Sequence, residues 1–155
     1  MTSVRARFGL LILVCWCCHG EAVLAADRRA EAVDCLALAM YWEAKTEGAA
    51  GMRAVGQVVL NRVAHPKFPG TVCEVVRQGG EQPPCQFSWW CDGKSDTPTE
   101  ARSWALAQRL ARSLLADRAR DPTRGALFFH SVRIAKPWVL PRQRTVQIGR
   151  HVFYR

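Results

Sequence analysis

Glu43 is the residue whose type and position most clearly indicate chemistry. It follows Leu36, Ala39 and Met40 by seven, four and three positions, so the helical period places its carboxyl on an apolar face. Because an unpaired buried carboxylate is costly, burial usually raises the pKa of such a group. A carboxyl that keeps its proton near neutral pH can serve as the general acid in cleavage of a glycosidic bond.

Glu47 lies one helical turn beyond Glu43, on the same predicted face. Neighbouring carboxylates disfavour each other's ionisation, so this spacing predicts a raised pKa for both. We expect Glu43 to be catalytic and Glu47 to help bind the substrate. Periodicity alone leaves another interpretation open, in which Arg53 or Arg62 pairs with Glu43 at the edge of the core.

A loop that interleaves polar and aromatic residues is the next candidate. Sugar-binding clefts combine aromatic faces with a few hydrogen-bonding groups, which favours a substrate-binding role for this loop. The residues to which we assign that role are Gln86, Phe87, Ser88 and Trp89. In the alternative interpretation, Phe87 and Trp90 only cap the core beside a disulfide that closes the loop.

Four helices and a short β element are predicted to position these residues. Apolar residues recur at helical spacing in four segments, and turn signals such as Gly48 and Pro66 separate them. The predicted helices are Arg29–Thr46, Ala50–Ala64, Thr71–Gln78 and Thr99–Arg120, with Thr99 as N-cap, and the predicted strands are Thr145–Ile148 and His151–Tyr154. This order predicts an α+β, mainly α single domain with a small C-terminal β element.

Composition excludes several classes of protein. The chain has 155 residues, of which 49% are hydrophobic and 23% charged, and its formal net charge is +9. This apolar fraction excludes a disordered chain, and no apolar run has the length of a membrane helix, which excludes a polytopic membrane protein. The positive charge favours attraction to an anionic envelope polymer, whereas nucleic acid is disfavoured because no recognised binding module is present.

The N-terminal residues have the order of a secretory signal peptide. Arg5 and Arg7 precede an apolar block, Phe8–Cys18, and small residues follow up to Ala26. We therefore predict a signal peptide at residues 1–26, a mature domain at 27–155, and export to the periplasm or cell envelope without stable membrane insertion after cleavage. An uncleaved N-terminal anchor is the alternative.

Four cysteines remain after this cleavage: Cys35, Cys73, Cys85 and Cys91. An even number in a small exported domain favours two disulfides, for which three pairings are possible. We expect Cys85 to pair with Cys91 across the loop between them. A structural zinc site is the weaker interpretation because no two of these four cysteines form a C-x-x-C pair, and no metal or cofactor is predicted.

Four segments carry a resemblance to a known family. The first runs from Cys35 to Val76 and contains YWEAKTEGAAG, and the others are CQFSWWCDG (85–93), DPTRGALFFH (121–130) and IGRHVFYR (148–155). In this order they resemble the cell wall hydrolase family of the SleB type, which spore cortex-lytic enzymes typify. The four-cysteine form resembles the Gram-negative, non-sporulating branch.

The resemblance implies a lysozyme-like fold related to lytic transglycosylases, with peptidoglycan glycan strands as the partner. The family's single catalytic glutamate matches Glu43, the first glutamate of YWEAKTE. This residue would protonate the oxygen between N-acetylmuramic acid and N-acetylglucosamine, then deprotonate the muramoyl C6 hydroxyl, which closes onto C1 as a 1,6-anhydro end. A hydrolytic muramidase and an exported peptidoglycan-binding protein without catalysis are the alternatives.

His130 completes the set of predicted substrate-binding residues. Relatives usually carry Tyr or His after the late Gly-Ala pair, where this chain has Leu127, Phe128, Phe129 and His130. His130 supplies a polar group there, whereas Phe128 stands where a hydroxyl or imidazole is common. A serine hydrolase built on His130 and Ser131 is disfavoured, because adjacent residues rarely face each other and no orienting acid is evident.

Overall fold

The computed structural model describes residues 18–155 apart from 83, 118–119 and 136–141. Helices dominate and a three-stranded sheet comes last, which confirms the predicted α+β, mainly α class. The helices are α1 (Cys18–Ala44), α2 (Gly48–Val63), α3 (Val72–Val76) and α4 (Ala101–Ala116), with 3-10 turns at Lys45–Glu47 and Ser88–Cys91. The strands are β1 (Phe128–Ser131), β2 (Arg144–Ile148) and β3 (His151–Tyr154), paired antiparallel in the order β1-β3-β2.

The core lies where the apolar faces of α1, α2 and α4 meet. Leu36 and Met40 of α1 and Val55 of α2 are fully buried. Burial of a side chain of this size contributes roughly 1.5–3 kcal/mol, so this face holds α1 firmly. Gly56 allows close helix packing, because a Cβ there would lie 2.8 Å from Leu114 of α4 and 2.9 Å from Met40. The packing thus fixes the C-terminal end of α1, which carries the predicted acid.

The first helix begins earlier than predicted, at Cys18 rather than Arg29. Residues 1–17 of the predicted signal peptide lie outside the described residues, and α1 continues through the predicted cleavage position after Ala26. Cleavage therefore stays a prediction. In the part of the chain that the structure describes, no helix is both long enough and apolar enough to span a membrane.

The junction of α1 and α2 forms a tight turn. The first helix ends at Ala44 instead of Thr46, and Lys45–Glu47 forms one 3-10 turn before α2 begins. Gly48 has a φ of 65°, a conformation that glycine adopts without steric cost, and it caps the 3-10 turn, whereas α1 itself ends before that turn at Ala44. The last turn of α1 and the start of α2 are thereby held side by side.

The start of α4 differs from the prediction for a tertiary reason. Glu100, not Thr99, is the N-cap residue, and its side chain makes no capping hydrogen bond. The backbone N–H groups of Thr99 and Glu100 each donate to the Tyr41 hydroxyl at 3.1 Å, so a residue of α1 satisfies donors at this end. The helix ends at Ala116, short of the predicted Arg120, because the backbone becomes extended at the next residue.

The sheet packs on the outer side of α2. The buried Phe153 of β3 contacts Ala54 and Val58, which makes a second, smaller cluster of apolar side chains. Strands β2 and β3 confirm the predicted strand segments, whereas β1 was not predicted. A hydrogen bond of 2.7 Å from Arg62 Nε to the Leu127 carbonyl ties α2 to the residue before β1.

Two disulfides join the four cysteines, as predicted. Cys85 pairs with Cys91, which confirms the expected bridge across the aromatic loop. Cys35 of α1 pairs with Cys73 of α3. Because all four sulfurs are in disulfides, none of these cysteines offers a thiolate to a metal.

Candidate active site

Glu43 lies in the last turn of α1 and lines a cleft of about 190 Å³ between the helices and the sheet. The α1–α2 junction forms one wall of this cleft, and β1, β3 and their turns form the other. The remaining lining residues are Thr46, Glu47, Ser131, Arg133, Arg150 and His151. A carboxyl in this position is enclosed by protein on most sides and still accessible from the cleft.

Burial raises the pKa of Glu43 to about 7, from an ordinary value of 4.5. The positive charge of Arg62 and the indole N–H of Trp89 both act in the opposite direction. Because the pKa stays high, desolvation of the carboxylate outweighs these two favourable interactions. A substantial share of the Glu43 carboxyls therefore keeps its proton near neutral pH.

Arg62 gives partial support to the alternative interpretation of Glu43. It is 2% exposed, and its charge acts on Glu43, although no ion pair within 4.0 Å joins them in the described residues. Burial lowers the pKa of Arg62 to about 10, which leaves it charged at neutral pH. Its guanidinium carbon lies 5.3–5.7 Å from three aromatic ring centroids, those of Phe68, Phe87 and Phe128.

Glu47 reaches the same cleft, but the prediction that its pKa is raised is wrong. The Arg150 backbone N–H donates to Oε2 at 2.9 Å, and Arg150 Nε lies 2.6 Å from Oε1. These hydrogen bonds and the Arg150 charge lower the pKa of Glu47 and exceed the opposing effect of burial. The 3-10 turn after Ala44 takes Glu47 off the period of α1 and brings it to the turn between β2 and β3. Gly149 makes the contact possible, because a Cβ there would collide with the Glu47 carboxylate.

Ser131 and His151 line the cleft, although the sequence did not predict either as a site residue. They are paired opposite each other in β1 and β3, which places both side chains on one face of the sheet. His151 is 9% exposed, and burial lowers its pKa, which favours the neutral imidazole. Its Nδ1 is buried and makes no hydrogen bond within the described residues. The wall facing Glu43 therefore offers a neutral imidazole and a hydroxyl.

The aromatic loop belongs to the core more than to the cleft. Phe87 and Trp89 are 2% and 8% exposed, whereas Gln86 and Ser88 are exposed, and none of the four lines the cleft beside Glu43. This placement favours the alternative interpretation for Phe87. The indole N–H of Trp89 is buried and makes no hydrogen bond of good geometry within the described residues, and its effect on the candidate acid is to lower the pKa of Glu43.

His130 is also not among the residues that line this cleft. Its ring stacks on Tyr154, and Nε2 lies 2.9 Å from the Tyr154 hydroxyl. Because side chains alternate along a strand, His130 and its neighbour Ser131 lie on opposite faces of β1. Phe128 lies on the His130 face, with the Arg142 guanidinium carbon 3.5 Å from its ring centroid. A substrate-binding role for His130 stays a prediction.

Metal-ligating side chains converge at one place in the described residues, where Glu31 lies beside Cys35 and Cys73. The two cysteines are joined in a disulfide, which removes the thiolates that a metal would bind. This cluster is therefore a poor metal site.

Comparison with known proteins identifies the family. Residues 46–154 match the Cell Wall Hydrolase domain. The chain belongs to this family. The match begins three residues after Glu43, so the family assignment does not depend on the candidate acid. It confirms the predicted resemblance at the level of the family, while the Gram-negative, four-cysteine branch stays a prediction.

Spore cortex-lytic enzymes of several bacteria are similar to this chain. It is 31% identical to the spore cortex-lytic enzyme of Bacillus subtilis over 76% of this chain and 35% of that protein. It is 32% identical to the spore cortex-lytic enzyme of Bacillus cereus over 78% of this chain and 43% of that protein. The chain thus spans less than half the length of these curated relatives.

Solved structures extend the comparison to the fold. The catalytic domain of the germination-specific lytic transglycosylase SleB from Bacillus anthracis superposes with a TM-score of 0.63 at 29% identity, covering 80% of this chain and 93% of that one. The catalytic domain of Bacillus cereus SleB superposes with a TM-score of 0.60 at 27% identity, covering 80% and 89%. These similarities confirm the predicted lysozyme-like fold.

Proposed function

We propose that this cell wall hydrolase cleaves the β-1,4 bond between N-acetylmuramic acid and N-acetylglucosamine in peptidoglycan, as a lytic transglycosylase with one catalytic carboxyl, Glu43. The observation that carries the proposal is a carboxyl with a pKa of about 7 in the wall of a cleft. The relatives are named cortex-lytic enzymes and a lytic transglycosylase, which supports the substrate class and the reaction. We also propose that residues 1–26 direct the domain out of the cytoplasm.

The reaction requires one group to act first as acid and then as base. Protonated Glu43 donates its proton to the glycosidic oxygen as the bond from that oxygen to C1 breaks. The resulting carboxylate then removes the proton of the muramoyl C6 hydroxyl, and the C6 oxygen bonds to C1. Glu43 regains its proton, and no water is consumed. The buried charge of Arg62 favours the transient carboxylate, so it supports the first step, in which Glu43 gives up its proton.

The hydrogen bonds and the lowered pKa of Glu47 support transglycosylation rather than hydrolysis with inversion. An inverting hydrolase needs a second carboxylate that activates water. Both oxygens of Glu47 already accept hydrogen bonds from Arg150, and its pKa is lowered, so it is a weak base. We keep the predicted substrate-binding role for Glu47, which lines the cleft wall as an ion pair with Arg150.

Substrate contacts are assigned to polar groups around Glu43. Ser131 and His151 line the cleft and can hydrogen-bond sugar hydroxyl or acetamido groups. We keep the predicted substrate-binding role of Gln86, Ser88 and His130 and assign these residues to sugars farther from the scissile bond. Trp89 is a positioning residue for Glu43.

Digestion of purified peptidoglycan by residues 27–155, followed by mass spectrometry, tests the proposal. Products should carry 1,6-anhydro ends, about 18 mass units lighter than hydrolytic ends because no water is added. Glu43→Gln keeps the shape of the side chain without a transferable proton. Turnover should therefore fall by about 10²-fold at the least, and by about 10⁴-fold or more if both steps depend on this carboxyl. Glu81→Gln, at an exposed position outside the cleft, is the matched control and should retain full turnover.

Three results would contradict parts of the proposal. Hydrated ends would indicate a muramidase. Binding of glycan without any product would favour the non-catalytic alternative. Near-normal turnover of Glu43→Gln would show that another group is the acid.

A further inference from the structure

One side of the cleft ends in a short turn that follows β1. We call residues Val132, Arg133 and Ile134 the lip. Its backbone is well anchored, because Val132 N–H donates to the Arg150 carbonyl at 2.8 Å and Ile134 N–H donates to the Ser131 carbonyl at 3.0 Å. The Arg133 N–H also donates to Ser131 Oγ at 3.3 Å. The lip is therefore a fixed platform with three exposed side chains.

The charges that line the cleft leave one cation without a partner. Glu47 and Arg150 neutralise each other in an ion pair of 2.6 Å. Burial lowers the pKa of His151 and so favours its neutral form, and Glu43 carries no charge in its acid form. The remaining charged lining residue is Arg133, whose guanidinium makes no ion pair or hydrogen bond within the described residues. The acid form of the cleft thus carries one uncompensated positive charge, at its outer edge.

The lip is also unusually apolar for an exposed turn. Val132 is 44% exposed and Ile134 is 48% exposed. Among the described residues, the other large hydrophobic side chains with such exposure are Val23 and Leu24, near the start of α1. The lip therefore presents a cation between two exposed aliphatic groups, beside the candidate acid. An anionic ligand with small apolar groups fits this combination.

We propose that the lip binds the peptide stem of peptidoglycan, with Arg133 contacting a stem carboxylate and Val132 and Ile134 contacting the lactyl and alanyl methyl groups. The inference rests on the proposed function for the identity of the polymer. Stem peptides leave the glycan at the muramic acid lactyl ether, next to the bond that Glu43 would cleave, and they carry several carboxylates. The lip makes strands that bear stems better ligands than bare strands.

Binding measurements in the Glu43→Gln background test this inference without cleavage of the ligand. The two ligands are a tetrasaccharide that bears stem peptides and the same tetrasaccharide after removal of the peptides by an amidase and conversion of the freed lactyl carboxylates to methyl amides, which leaves it without an anion. Arg133→Gln should weaken binding of the stem-bearing ligand about 2- to 5-fold and leave the bare ligand unaffected. Arg133→Lys should retain most of the affinity, and added salt should reduce the preference. Arg112→Gln, which removes an exposed charge of α4, is the matched control and should change neither affinity.

Two results would overturn the inference: equal loss of affinity for both ligands on Arg133→Gln, or no loss for either. Cleavage of the bare tetrasaccharide by the parent protein is a separate measurement that addresses only the proposed function. A parent that cleaves nothing but binds the two ligands with an Arg133-dependent difference would refute the catalytic proposal and leave the lip as inferred.

Discussion

The raised pKa of Glu43 predicts that the candidate acid destabilises the fold at the pH where it works. The unfolded chain ionises this carboxyl near pH 4.5, whereas the folded protein resists ionisation until about pH 7. Stability is therefore fully present below about pH 4.5 and is lost as the pH rises toward 7 and beyond. Glu43→Gln mimics the protonated side chain at every pH, so it should remove this loss.

The size of the effect follows from the two pKa values. Each pKa unit corresponds to about 1.4 kcal/mol, so a rise from 4.5 to about 7 corresponds to about 3 kcal/mol. Glu43→Gln should therefore equal the parent at pH 4 and exceed its free energy of unfolding by about 3 kcal/mol at pH 8. A gain of this size is large relative to the usual total of about 5–15 kcal/mol.

Urea unfolding of the parent and Glu43→Gln at pH 4, 6 and 8 measures this difference directly. Glu81→Gln, an exposed carboxyl, serves as the control and should give a difference near zero at each pH. A difference between parent and Glu43→Gln that does not change with pH would refute the reasoning. So would a difference that grows toward low pH, because that would indicate a carboxylate stabilised by pairing.

Two further predictions concern the frame of the site. Glu47→Gln should lower the free energy of unfolding by about 1–3 kcal/mol at pH 7, because the charged hydrogen bonds to Arg150 are lost. The loss should be smaller at pH 3, because a carboxylate with a lowered pKa ceases to stabilise the fold as the pH falls through that pKa. Equal losses in urea unfolding at the two pH values would contradict this. Replacing Cys35 and Cys73 by Ser should cost about 4 kcal/mol, and replacing Cys85 and Cys91 about 2 kcal/mol, because the bridges span 38 and 6 positions. Thermal unfolding that ranks the two variants in the reverse order would argue against the loop-entropy explanation.

Local patterns predicted the helices and the position of Glu43, because both depend on residues within two turns of each other. The burial of Leu36, Ala39 and Met40 is what the 3.6-residue period requires, and the carboxyl follows from that face. The β1 strand escaped prediction because Phe128 and Phe129 are consecutive apolar residues with no alternation, and pairing with β3 decides their conformation.

The state of Glu47 depended on a partner that local spacing cannot reveal. Arg150 lies 103 positions away, and one 3-10 turn is enough to move Glu47 from the face it was expected to share. The sequence did not predict His151 as a site residue for a similar reason. A single histidine in a short strand lines the cleft only because the strand register places it opposite Ser131. The Tyr41 hydroxyl at the start of α4 is a third case of a tertiary contact replacing a local rule.

The contact between Glu47 and the Gly149–Arg150 turn also bears on the stage of folding at which the cleft forms. Glu43 leaves the ribosome about 100 residues before the segment that closes the opposite wall, which must find its place through a long-range contact. A nascent chain therefore holds the acid with no groove around it. Under the proposed function, the chain therefore gains a complete cleft for glycan only after the hairpin of β2 and β3 has docked beside Glu47.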